Sequence, residues 1–344
     1  MGFEHLTADQ LAWIFLSLMG FTALVYAILD GYDLGVGILL PIKNNNSEQS
    51  VLDAERNQMI ASIGPFWDAN ETWLVLAIGI LLIAFPGAYS LVLRELYLPT
   101  VFLLIGLVLR GVSFDFRAKA VTQYRPLWDK LFKFGSILAA LTQGYMLGRY
   151  VLGFEHSEGA YIFAIISSLC VTAAYAYIGG AWLVMKTTGD LQRKAAYWSR
   201  RAGWLAGVGI LAVSIANAMM SQAIADRWFS FPAVILLIPI PLMCGVLFFT
   251  VDRYLKCVPL TDDFACAFPF MGVLSIFVLT FFGLAYSYFP YVIPHRMLAV
   301  DAASAASSLR FVLYGTAIVL PVIIVYTIFS YRVFWGKTTE LKYY

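Results

Sequence analysis

The sequence predicts an all-α integral membrane protein of about nine transmembrane helices, with its N-terminus outside and its C-terminus cytoplasmic. Three observations carry that expectation. Of the 344 residues, 61% are apolar and 13% charged, against about 25% charged in a soluble average. The apolar residues gather into runs near the roughly 20-residue length that crosses a bilayer. Lys and Arg collect in every second connection between those runs, as the positive-inside rule requires. The formal net charge of +2 leaves no basic nucleic-acid footprint and no acidic tail.

In order, the runs are 11–40, 57–86, 91–113, 130–151, 160–186, 201–225, 231–255, 264–289 and 309–335. The leading MGFEHLTADQ has no basic n-region and no small-residue cleavage site, so the first run is expected to stay as a helix rather than leave as a signal peptide. The second run is interrupted by Gly64, Pro65 and acidic residues. Its purely apolar part, Leu74 to Phe85, is too short to cross alone, which draws Phe66 to Trp73 into the membrane. Arg94 and Glu95 mark the start of the third.

Between the third and fourth runs lie Arg117, Lys119, Arg125, Lys130 and Lys133, and between the fifth and sixth Lys186, Arg193, Lys194, Arg200 and Arg201. With the N-terminus outside, about 17 of the 23 basic residues fall on the cytoplasmic side, including Arg332, Lys337 and Lys342 of the C-terminal segment. The longest connections, around NNNSEQSVLDAER, VTQYRPLWDK and PYVIPHRMLAVDAASAASS, are too short to hold a soluble module. Residues 1–344 therefore read as a single polytopic membrane domain, with no internal repeat.

Function points to two acidic signatures fused to these runs, DGYDLGVGILLP (Asp30 to Pro41) and GPFWDANETWLV (Gly64 to Val75). A carboxylate at membrane depth costs several kcal/mol, so such groups face a bundle interior, a water-filled path or a partner. A helix entering near Leu11 has risen about 28 Å by Asp30, which places Asp30 and Asp33 near the cytoplasmic edge. Their spacing of three sets both on one helix face, and Asp68 and Glu71 repeat that spacing in the second span. Asp68, Asp30, Asp33 and Glu71 are thus candidates for a chain of protonatable groups leading in from the cytoplasm. The blander reading makes the first pair a helix-end or interfacial feature and lets Glu71 satisfy Asn70.

Other features read structurally. Gly31, Gly35 and Gly37 lack the strand and the Lys-Ser/Thr of a phosphate loop and suit close helix packing. Arg110, Asp115 and Arg117 read as an ion-pair cluster at the cytoplasmic end of the third helix. Cys170, Cys244, Cys257 and Cys266 form no CxxC pair, and the ten Met residues suit packing. His5, His156 and His295 all fall in outer termini or loops, so no imidazole is expected at membrane depth to ligate a haem or a copper. If the protein serves a redox enzyme, another chain is expected to carry the metals.

DGYDLGVG, GPFWDANETWLV, SFDFRAK, YFPYVIP and VLPVIIVYTIF occur in this order between about residue 30 and residue 330. In these motifs the chain resembles subunit II of the cytochrome bd-type quinol oxidases, and FWDANETW with the short outer loops is similar to the cyanide-insensitive branch. The resemblance implies a nine-helix subunit paired with a haem-bearing subunit I in a bacterial inner membrane. It implies haem b with haem d-type or b-type haems on subunit I, quinol as substrate, and dioxygen reduced to water with protons from the cytoplasm. It leaves room for small accessory subunits, lipid and quinone as further partners. Asp68 resembles the family's candidate proton-channel residue, and Glu71 stands where some relatives carry an uncharged amide. Two rivals stay open: a stand-alone proton-coupled transporter, whose acids would bind substrate cations at the midplane, and a pure scaffold.

Overall fold

The computed structural model describes residues 3–42, 49–119, 122–260 and 263–338. The chain begins with α1 (Ala8–Leu39), and Thr7 starts it with a reciprocal capping box: its hydroxyl accepts from Gln10 N while its own N–H donates to Gln10 Oε1 at 3.0 Å. Next come α2 (Gln49–Ile63), α3 (Trp67–Ala84), α4 (Pro86–Glu95), α5 (Tyr97–Lys119), α6 (Arg125–Val151), α7 (Glu158–Lys186) and α8 (Gly189–Met220). The shorter α9 (Gln222–Phe229) and α10 (Ala233–Leu237) lead into α11 (Pro239–Leu255), α12 (Asp263–Tyr288), α13 (Ala299–Ala302) and α14 (Ala306–Val333). A hairpin, β1 (Tyr291–Ile293) against β2 (Met297–Leu298), sits between α12 and α13.

Eight helical segments among the described residues are long and apolar enough to cross a membrane, with α10 and α11 counting as one. The ninth expected span, α6, has 27 residues, about 40 Å at 1.5 Å per residue. It falls short on composition only, because it carries Asp129, Lys130, Lys133, Gln143 and Arg149.

Two expected spans start later than their apolar runs suggest. Residues 57–63 belong to α2, and a turn at Gly64 to Phe66 separates it from α3, so the second span begins at Trp67. Arg94 and Glu95 end the separate helix α4, and the third span runs from Tyr97 to Lys119. Pro65 lies in the turn before α3, and Pro86 starts α4 directly after α3, so a proline opens a new segment at both points where apolarity alone would continue. The first long connection contains α2, and the last contains the hairpin and α13. Residues 43–48, with the asparagine-rich start of that first connection, and 339–344, with Lys342, lie outside the described residues.

The helix α1 is central, packing on α3, α6, α7 and α12. Small residues make this possible. A Cβ on Gly35 would collide with the backbone carbonyl of Tyr175, and one on Gly179 would meet the Gly35 backbone, so α1 and α7 touch main chain to main chain. Gly106 and Gly135 bring α5 and α6 together in the same way. These approaches carry the bundle's polar groups inward, toward one another.

Candidate functional site

The site is built on Arg110, fully buried on α5. Its guanidinium faces three carboxylates: Nη1 lies 3.4 Å from Asp30 Oδ1 and 3.1 Å from Glu71 Oε1, and Nη2 lies 3.7 Å from Asp33 Oδ2. Its apolar neighbours are Trp67 and Phe132, whose ring centroids are 5.9 and 5.8 Å from the guanidinium carbon. One guanidinium offsets one carboxylate, and three share it. The charge that remains must be met by protons or by water, because isolated ionised groups are strongly disfavoured in a dry interior.

Helix periodicity explains the local geometry. Asp30 and Asp33 lie three apart on α1, hence on one face, and both are completely buried. Asn70 and Glu71, in the first turns of α3, approach the same face. Asn70 Nδ2 donates to Asp33 Oδ2 at 2.6 Å and lies 3.2 Å from both the Leu29 carbonyl and the Tyr32 hydroxyl. Tyr331, near the end of α14, donates to Asn70 Oδ1 at 3.2 Å, and its hydroxyl is 2.5 Å from that of Tyr32. A second arm runs along the other side of Asp30: Gln143 Nε2 donates to the Tyr26 hydroxyl, and Gln143 Oε1 accepts from Tyr175, each at 2.7 Å. Several buried atoms of the cluster have no protein partner, namely Asp30 Oδ2, Asp33 Oδ1, Arg110 Nε and the hydroxyl of Ser113 one turn further along α5.

The four acids named from the sequence are therefore placed unequally. Asp30, Asp33 and Glu71 converge on Arg110. Asp68 does not: it lies exposed at the start of α3, outside the buried contacts, while the Glu71 side chain, 27% exposed, bridges that surface and the cluster. The arginine group also divides. Arg110 joins the acids, Asp115 is exposed, and Arg117 belongs to a separate network in which Nε reaches Asp129 Oδ1 at 2.5 Å and Nη2 reaches Asn57 at 2.8 Å. Arg56 closes that network, contacting Asp129 at 3.5 Å, Asp53 at 3.0 Å and the carbonyls of Pro41 and Ile42.

From the sequence Arg110 reads as part of a structural ion-pair cluster and Asn70 as a partner of Glu71, while Tyr32, Tyr331, Tyr26 and Gln143 carry no mark. An arginine inside an apolar run was the one signal available, since such a residue needs a buried partner. Among the described residues no group of three or more His, Cys, Asp or Glu is placed to hold a metal ion. The cation of this site is Arg110.

Comparison with known proteins gives the family of the chain. Residues 11–334 match the profile of the family described as cytochrome bd terminal oxidase subunit II. The chain belongs to that family. The cytochrome bd ubiquinol oxidase subunit 2 of Bacillus subtilis is 26% identical over 333 residues, covering 92% of this chain and 93% of the relative. The cytochrome bd-I ubiquinol oxidase subunit 2 of Escherichia coli is 26% identical over 376 aligned positions, covering 96% of each. The fold matches a chain of the bd oxidase structure from Geobacillus thermodenitrificans with a TM-score of 0.69, at 16% identity, over 94% of this chain and 98% of that one. As a member of this subunit family the chain is part of a terminal oxidase, and the reading as a stand-alone transporter is set aside.

Proposed function

We propose that this chain is the non-haem subunit of a quinol:dioxygen oxidoreductase in a bacterial inner membrane, paired with a haem-bearing subunit I and leading protons from the cytoplasm toward the site of oxygen reduction. The observation that carries the proton role is the sharing of one buried guanidinium by Asp30, Asp33 and Glu71. A cluster with more carboxylates than cations can take and release protons with little change in packing, which a proton path requires and a static ion pair does not. Glu71 links it to the surface that bears Asp68. With 18 residues, or about 27 Å, α3 is just short of a hydrocarbon core of about 30 Å, so its first turn lies at the core boundary. A carboxylate exposed there is unfavourable against lipid and suits a face covered by a partner or by water. Asp68 is then the handover point toward subunit I.

The test is quinol oxidase turnover per haem in the purified complex. Asp33→Asn, Glu71→Gln and Asp68→Asn remove the titratable site while keeping shape, and each is expected to lower turnover while assembly and haem spectra survive. A tenfold loss corresponds to about 1.4 kcal/mol on the limiting barrier. Wild-type turnover at all pH values in all three variants would leave the scaffold reading in place. Asp68→Glu is expected to recover part of the rate.

A further inference from the structure

The polar groups beside Asp33 close on themselves. Asn70 Nδ2 lies 3.2 Å from the Tyr32 hydroxyl, that hydroxyl lies 2.5 Å from the hydroxyl of Tyr331, and Tyr331 lies 3.2 Å from Asn70 Oδ1. A primary amide offers two donors and one carbonyl acceptor, and a phenol offers one donor and an acceptor. With the amide oriented as it is, the direction that closes the ring is Asn70 N–H to Tyr32, Tyr32 O–H to Tyr331, and Tyr331 O–H to Asn70 Oδ1. The second amide hydrogen goes to Asp33 Oδ2 at 2.6 Å. Every hydrogen of the ring is used, and the ring's direction obliges Asn70 to present a donor to Asp33.

The geometry points to a two-state hydrogen-bonded ring, Asn70–Tyr32–Tyr331, that orients Asp33 and follows its protonation; this rests on the proton-path reading above. A carboxylate accepts, so the observed sense suits ionised Asp33. When Asp33 takes a proton from the path, one O–H bond forms on its carboxyl group, and that group becomes a donor. Rotating the Asn70 amide by half a turn then puts Oδ1 against the Asp33 hydroxyl and Nδ2 against Tyr331. Tyr331 donates to Tyr32, and Tyr32 donates to Oδ1. No proton enters or leaves the ring, and only its directions reverse. The reversal turns Oδ1 toward the Leu29 carbonyl, now 3.2 Å from Nδ2, and leaves one amide hydrogen outside the ring, which makes the reversed state the costlier of the two. Both states keep the three ring bonds, so on this side Asp33 meets a donor when ionised and an acceptor when protonated, a match that a buried site otherwise lacks at a cost.

Packing restricts what can move. Tyr32 is stacked on Trp182 at 4.2 Å and Tyr331 on Phe66 at 4.4 Å, both with 22° between planes. Stacking holds the two rings, and the reversal needs only the hydroxyl torsions and the amide to turn. The other groups that bear on Asp33 are Arg110 from α5, Glu71 from α3 and Asp30 from α1, so the ring is its link to α14. Asn70, Tyr32 and Tyr331 are positioning residues for Asp33.

Tyr331→Phe and Tyr32→Phe keep the stacked rings and delete one ring member each. In the purified oxidase complex, each is expected to lower turnover per haem about three- to tenfold, the size that goes with one lost hydrogen bond, and to displace the pH profile. Both should also shift the carboxyl C=O infrared band identified as Asp33 by its disappearance in Asp33→Asn. A ring is broken by a single deletion, so the double variant is expected to be no worse than the stronger single one. Independent packing roles would instead give additive losses. Additive losses, or an unmoved Asp33 band in both single variants, would overturn the proposal. Should Asp33→Asn, Glu71→Gln and Asp68→Asn all keep wild-type turnover, the proton-path reading fails, and the infrared shift still decides whether the ring senses Asp33. If Tyr331→Phe does not assemble with haem, Tyr32→Phe carries the same comparison.

Discussion

At the residue scale, Arg110 decides the character of the site. Its side chain is buried, with three carboxylates within 3.7 Å. Removing one partner of a buried ion pair costs about 3–5 kcal/mol, because the remaining charge stays buried and unmet. Arg110→Leu is therefore expected to lower the yield of assembled complex sharply, measured as haem per membrane protein. Arg110→Lys keeps a charge but replaces a planar fork touching three acids with a single point donor. That variant is expected to assemble, with turnover reduced and its pH profile displaced. If Arg110→Leu assembles and turns over like the wild type, Arg110 is not the hub described above.

At the element scale, the central position of α1 depends on residues without side chains. Gly35 lies so close to α7 that a Cβ would meet the Tyr175 carbonyl and stand 2.9 Å from the Gly179 Cα. Gly35→Ala must push the helices apart and is expected to cost about 1–3 kcal/mol, the range for overpacking a filled core. Gly245 on α11 has nothing within 4 Å of its would-be Cβ, so Gly245→Ala is the matched control. The comparison is thermal inactivation of the detergent-purified complex, and equal midpoints for the two variants would contradict the close approach.

The end of α7 carries a second element-scale feature. Lys337 Nζ donates to the carbonyls of Met185 at 2.9 Å and Thr187 at 3.1 Å, while Lys186 Nζ donates to those of Phe334 at 2.6 Å and Gly336 at 3.2 Å. Lys337, just past α14, meets carbonyls in the last turn and at the cap of α7, and Lys186 meets carbonyls at and after the end of α14, where orphan acceptors accumulate. Lys337→Ala is expected to free the segment after α14, seen as faster amide exchange at residues 334–338 with haem content unchanged.

At the scale of the whole molecule, orientation and partnership are the open quantities. From the alternation of basic residues we propose that the α6–α7 connection lies outside and the α5–α6 connection in the cytoplasm. In a Cys-free background, single cysteines at the exposed Glu158 and Gln123 are expected to react with a membrane-impermeant thiol reagent from outside and inside respectively. The reverse pattern would invert the proton path. The histidines test the partnership. Replacing His5, His156 and His295 together is expected to leave the haem content of the complex intact, and the chain expressed without its partner should show no haem absorption. Loss of one haem in the triple variant would assign a haem ligand to this chain.

Apolar run length determined the helical membrane class, and the three-residue spacing put Asp30 and Asp33 on one buried helix face. The reason is local: hydrophobic length and helical period are properties of one segment at a time. Which faces meet is another matter. Arg110 reaches Asp30 across 80 positions, and Tyr331 reaches Asn70 across 261, and no period within one helix encodes such a meeting. The same limit explains why Asp68, the acid most prominent in the sequence, lies at the surface while Glu71, one turn away, enters the cluster: the 3.6-residue period fixes their relative angle, but only packing against α1 and α5 decided which of them points inward. The division of 57–86 into α2, a turn and α3 likewise needed tertiary structure, because α2 is held by Arg56 contacts to Asp129 and to the chain after α1. A one-dimensional apolar count cannot contain them.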